Sequence, residues 1–185
     1  MRSWARTWAV AAIAVASVMT GAACTSRDVP TVTPGSATPT LQAPSLDARG
    51  LAEQRAVAAY RGMWQAFSKA GQTANAQDPD LSRYAADVAL KTLVTGLEAN
   101  KMQGLVSRGD VVLNPQVTAL TPPAGLTEAS IRDCADTTHA VRVKASGEPF
   151  TDTPGGHRLV IATAKDVGGG TWKVTGFAIS GVGSC

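Results

Sequence analysis

The chain is short of aromatic and histidine side chains, and no apolar run in it is long enough to cross a bilayer. Only 5% of its 185 residues are Phe, Trp or Tyr, and two are His. Two histidines and three cysteines, with no Cys-x-x-Cys pair among them, do not make a zinc site. Lysine and arginine do not cluster, so the basic, aromatic-studded surface of a nucleic-acid-binding protein is missing. The longest apolar run, Trp8–Met19, has 12 residues, whereas a membrane-spanning helix needs about 20. Gly-x-Ser-x-Gly, His-Glu-x-x-His and the phosphate-binding glycine loop are all absent. Gly168-Gly169-Gly170 lacks the lysine and the helix that would follow in such a loop, and reads as a turn. No cofactor is implied.

What is present begins with export. Arg2 and Arg6 precede the apolar run, and Thr20-Gly21-Ala22-Ala23 follows it. A cationic start, a short apolar core and small residues ahead of a cut make residues 1–23 a signal peptide. With Cys24 as the first residue after that cut, the segment resembles a bacterial lipoprotein lipobox. Ala22 and Ala23 fit the small-residue positions. Gly21 departs from the usual leucine, and an ordinary signal-peptidase cut near Ala23 is the alternative reading. The lipobox resemblance implies an acylated Cys24 and a domain held at the extracytoplasmic face of the cell membrane. Each buried CH₂ of such an anchor adds about 0.8 kcal/mol of membrane affinity.

Cysteine arithmetic supports this reading. Three cysteines in an exported chain leave one over. Lipidation of Cys24 removes it, and Cys134 and Cys185 then form a pair in an oxidising compartment. Cys185 is the last residue, and a bridge would pin an otherwise loose end. Without residues 1–23, fifteen basic residues face fourteen acidic ones, a charge of +1.

Residues 24–46 carry Cys24 and then a Pro/Thr/Ser-rich stretch without structural period, expected as a disordered tether. The pattern changes at Asp47, and residues 47–185 read as one domain. Val57, Tyr60, Trp64 and Phe67 fall on one face of a helix that stops at Gly71. Asp78-Pro79 opens a second helix with the apolar stripe Leu81, Tyr84 and Val88. Leu90, Leu93, Val94 and Leu97 form a third stripe after a break near Asp87. Beyond Gly104 the period shortens. The segment from Val111 to Leu120 is a bent or edge strand interrupted by Pro115. Ala129–Asp136 is a strand with Ile131 and Cys134 on opposite faces. His139–Lys144, Arg158–Lys165 and Thr171–Ser180 are further strands, the last needing a bulge near Gly176 to keep its register.

Helices followed by hairpin-connected strands define an α+β order, with the N-terminal helices packed in a curved antiparallel sheet. The long first helix with Tyr60, Trp64 and Phe67, the Asp78-Pro79 start and the closing Trp172-Lys173-Val174 strand together resemble the nuclear transport factor 2-like, or SnoaL-like, cone fold. More narrowly, Asp133-Cys134 and the C-terminal cysteine resemble a group of actinobacterial lipoproteins. The cone resemblance implies either a binding or scaffold domain or a small isomerase- or cyclase-like enzyme. Such an enzyme needs a base inside the cone and a donor that polarises a carbonyl. Candidate bases are Asp133, Asp136, His139 and His157; candidate donors are Tyr60 and Tyr84. No motif assigns them to catalysis. Asp133 and Asp136 read as solvated carboxylates near a strand end, and His157 as a loop histidine. The expectation is therefore a non-catalytic, lipid-anchored domain of the cell envelope, partnered by the membrane through Cys24.

Replacing Cys24 with Ser is expected to move the protein from the membrane pellet to the soluble fraction, with loss of acyl mass from the mature chain. A variant as membrane-bound as the wild type would rule out the anchor.

Overall fold

The computed structural model describes residues 47–185; the signal segment, Cys24 and the tether lie outside them. Asp47 starts the first helix, α1 (Ala48–Gly71), by accepting a hydrogen bond from the Gly50 amide at 2.7 Å. Its buried face combines Ala52, Ala56, Ala59 and Ala66 with Tyr60, Met63 and Trp64. The alanines let neighbouring elements approach closely, while the three large side chains fill the interior. Gly62 sits mid-helix, where glycine weakens a helix. A Cβ there would come within 2.5 Å of the Tyr84 ring, so close packing explains its presence.

Helix α2 (Pro79–Tyr84) begins as the sequence indicates, with the Asp78 side chain accepting from the Asp80 amide at 2.9 Å. The stripe Leu81–Tyr84–Val88 does not hold together. The chain leaves the helical path at Ala85, and the Ala86 amide donates to Val174 O of the last strand at 2.9 Å. Helix α3 (Asp87–Met102) therefore starts with a phase of its own. It buries Ala89, Leu93 and Leu97 and leaves Val88 66% exposed.

Six strands follow: β1 (Leu105–Arg108), β2 (Gln116–Thr121), β3 (Glu128–Asp136), β4 (Val141–Lys144), β5 (His157–Asp166) and β6 (Trp172–Ile179). All pairings among them are antiparallel. They form a two-stranded sheet β1-β4 and a four-stranded sheet β2-β3-β5-β6. The fold is α+β, helices first and sheets after. Pro115 delays β2, which starts only at Gln116 and lies at the sheet edge, where a missing amide is tolerated. Strand β1 was not anticipated: its four residues are too few to show a period. His157 is the first residue of β5, paired with Asp136, and not a loop residue. The bulge falls at Thr175. Ala164 pairs with Val174 and Thr163 with Gly176, which brings both Trp172 and Phe177 toward the core.

On β3, Ala129, Ile131, Asp133 and Ala135 face inward, and Cys134 faces out. Cys134 is disulfide-bonded to Cys185 with the Cα atoms 5.8 Å apart. The closing segment also bonds to β5, through Gly183 N to His157 O and Leu159 N to Ser184 Oγ, both at 2.8 Å. A bridge spanning 51 residues stabilises by about 4 kcal/mol in the chain-entropy model. Intact-mass analysis is expected to show two thiols that alkylate only after reduction, and reduction should lower the unfolding midpoint. Free alkylation without reductant would count against the bridge.

Candidate functional site

Asp133 is the candidate whose position departs most from expectation. It lies mid-strand on the inner face of β3 and is 1% exposed, not solvated at a strand end. The reason is phase: residue 133 shares the inward register of Ile131 and Ala135. Its Oδ2 accepts from the Tyr60 hydroxyl at 3.0 Å, and its Oδ1 from the Asn114 amide at 2.8 Å. Tyr60 is fully buried. Burial, and then the adjacent Asp133 carboxyl, push the Tyr60 phenol far above its usual pKa. The Trp64 indole acts in the opposite direction. Its buried Nε1 nonetheless lacks hydrogen-bond geometry to any described residue.

The other candidates do not join this pair. Asp136 belongs to the outward phase of β3. Its Oδ1 accepts from the Thr138 hydroxyl and, at 2.9 Å, the Thr138 amide, and these bonds hold its pKa below the usual carboxylate range. His139 is exposed. His157 is exposed as well, with Nδ1 3.9 Å from Cys134 Sγ. Tyr84 packs over Gly62 and makes no hydrogen bond to Asp133. Among the described residues, no three His, Cys, Asp or Glu side chains gather closely enough to hold a metal ion.

Near the Tyr60–Asp133 pair runs a groove walled by α1, the larger sheet, β4 and the loop that follows β4. One part, about 310 Å³, has an apolar lining that includes Trp64, Phe67, Ala135, Val160 and Ile179, with Arg142, Asp152 and Arg158 among its polar residues. A more polar hollow of about 480 Å³, bordered by Arg61, Gln65 and Lys69, shares Trp64 and Val111 with it. Asp133 and Tyr60 line neither. Sequence reading missed Arg142, Asp152 and Arg158. The available signal was alternation, since Arg158 shares the phase of Val160, Ala162 and Ala164 and so stands where the inner face calls for an apolar residue.

No protein-family model matches the chain, and no curated protein aligns with it. Among solved structures, it is similar to the intermembrane space region of the chloroplast protein ARC6. The identity is 17% and the TM-score 0.49, over 74% of this chain and 98% of that one. No helix among the described residues is long and apolar enough to cross a membrane.

Tyr60→Phe removes one hydrogen bond from a buried carboxyl group and is expected to destabilise the fold by about 1–3 kcal/mol in denaturant titration. The wild type should also lose stability as pH rises past 10.0, the ordinary tyrosine value. Above that pH the unfolded chain releases the Tyr60 proton while the folded chain keeps it. The phenylalanine variant should show a shallower alkaline limb. Equal limbs would mean that Tyr60 ionises alike in both states.

Proposed function

We propose that this protein is a lipid-anchored binding domain at the extracytoplasmic face of the cell envelope, holding a small apolar ligand without chemical conversion. In this reading the helices and sheets form a cone of the nuclear transport factor 2-like kind. Its support is that α1 packs against all four strands of the larger sheet and against β1 of the smaller one. One observation carries the non-catalytic reading. The buried carboxyl group of Asp133 is committed to Tyr60 and the Asn114 amide and does not line the groove, whereas the groove wall is largely apolar. A cleft of a few hundred cubic ångströms with few polar groups is the usual form of a small-molecule site.

A second reading, a small isomerase or cyclase, draws on the Tyr60–Asp133 pair itself. A phenol donor against a buried carboxyl group is a set that can polarise a carbonyl and move a proton. For this pair to act, a ligand would have to pass Trp64.

The test is titration with the neutral apolar dye N-phenyl-1-naphthylamine. A saturable fluorescence rise that Thr153→Trp, at the groove's edge, strongly weakens is the expected result. Absence of saturable binding, or indifference to Thr153→Trp, overturns the binding reading. Turnover of a steroid- or polyketide-like substrate, lost in Asp133→Asn while dye binding persists, establishes the enzyme instead.

A further inference from the structure

The groove that serves the proposed binding function is not uniformly apolar, and its polar groups are unequal. Arg142 and Asp152 satisfy one another. The Arg142 backbone amide donates to Asp152 Oδ2 at 2.7 Å, and its Nε and Nη2 donate to Oδ1 at 2.9 Å and 2.5 Å. The Thr153 amide adds a further donor to Asp152 Oδ1 at 2.8 Å. The Asp152 charge is thereby neutralised within the wall, and its oxygens are occupied.

Arg158 is different. It lines the same groove next to Val160, is half-buried, and forms no salt bridge among the described residues. Its guanidinium makes a single long contact, Nη1 to Ser180 O at 3.4 Å. A guanidinium carries five N–H donors in a rigid planar fork. Most of Arg158's donors thus have no protein acceptor, at the end of an apolar surface formed by Val160, Ile179, Phe67 and Trp64. With Arg142 and Asp152 cancelling, Arg158 leaves one net positive charge on the groove wall. The fork matches a carboxylate in shape and charge.

We infer that the groove takes a single-chain amphiphile with an acidic head, its alkyl body against Trp64, Phe67 and Val160 and its carboxylate on Arg158. The inference rests on the groove being a ligand site, and it adds the chemical class of the ligand. The apolar wall supplies binding that any alkyl chain shares. Arg158 supplies the part that only an acid can use. The loss of one charge-assisted hydrogen-bonding partner corresponds to about tenfold in affinity or more.

The experiment is equilibrium dialysis of the full chain against octanoate and, separately, octanol, for wild type, Arg158→Gln and Thr153→Trp. Octanoate is expected to bind the wild type more tightly than octanol does. Arg158→Gln should weaken octanoate about tenfold and leave octanol unchanged, and that unchanged octanol binding also shows that the variant is folded. Thr153→Trp should weaken both. If Arg158→Gln binds octanoate as wild type does, the acidic-head assignment is wrong. If octanoate and octanol bind equally and Thr153→Trp abolishes both, the head-group assignment falls while the groove remains a ligand site. If neither compound binds, or Thr153→Trp affects neither, both the groove reading and the head-group assignment fall.

Discussion

Asp133 has two acceptor oxygens and almost no contact with water, so its neighbours must supply the donors that water would otherwise provide. It receives one from α1 through Tyr60 and one from the chain entering β2 through Asn114. The requirement ties three parts of the chain together: the long helix, the third strand, and the segment around Pro115 that leads to the edge strand. Purely apolar packing at this point would tolerate some sliding of α1 along the sheet, because dispersion contacts are not directional. A carboxyl group with two fixed donors is far less tolerant, since a shift of an ångström leaves a buried polar group unpaired at a cost of about 1–3 kcal/mol. The helix register, and with it the placement of Trp64 one turn further on, follows from that demand.

The same alternation that points Asp133 inward points Cys134 outward, and the two consequences are complementary. Inside, the strand is fixed to α1 by a hydrogen bond; outside, it is fixed to Cys185 by a covalent bond. Strand β5 stands between β3 and β6 and is bonded to the closing segment at two points: His157 O accepts from Gly183 N, and Leu159 N donates to Ser184 Oγ. The middle of the larger sheet is thereby held from both faces. The groove lies at this same end of the sheet, where Ala135 of β3 pairs with Arg158 of β5.

Much of this fold was legible in the sequence because the signals were local. The Asp78-Pro79 helix start, the opposed faces of Ile131 and Cys134, and the interruption at Pro115 ahead of β2 each depend on a few adjacent residues. The register correction near Gly176 was legible for the same reason, since Trp172 and Phe177 cannot share a face without an extra residue between them. What failed depended on partners distant in sequence. Val88 fitted the stripe of Leu81 and Tyr84 until the Ala86 amide paired with Val174, which no local pattern encodes. Asp133 was read as solvated because aspartate usually is. Its parity with Ile131 argued otherwise, but the donor that makes burial tolerable lies 73 residues away on α1. Strand β1 was invisible because its pairing with β4 alone defines it.

Asp133 and Arg158 are both charged residue types in an inward strand phase, and their different surroundings separate structure from recognition. Asp133 is enclosed, and its acceptors are met by Tyr60 and the Asn114 amide. Arg158 is half-buried at a groove wall, with one long contact to a carbonyl. A buried group whose partners all come from the protein gains nothing further from a ligand and acts as a restraint on the fold. A group in an inward phase with spare donors and an apolar surface beside it gains by meeting an acceptor from outside, because a charge-assisted hydrogen bond beside apolar surface is stronger than one in bulk water. On that physical ground the proposed ligand contact falls to the open arginine of the groove, and the closed Tyr60–Asp133 pair to holding α1 on the sheet.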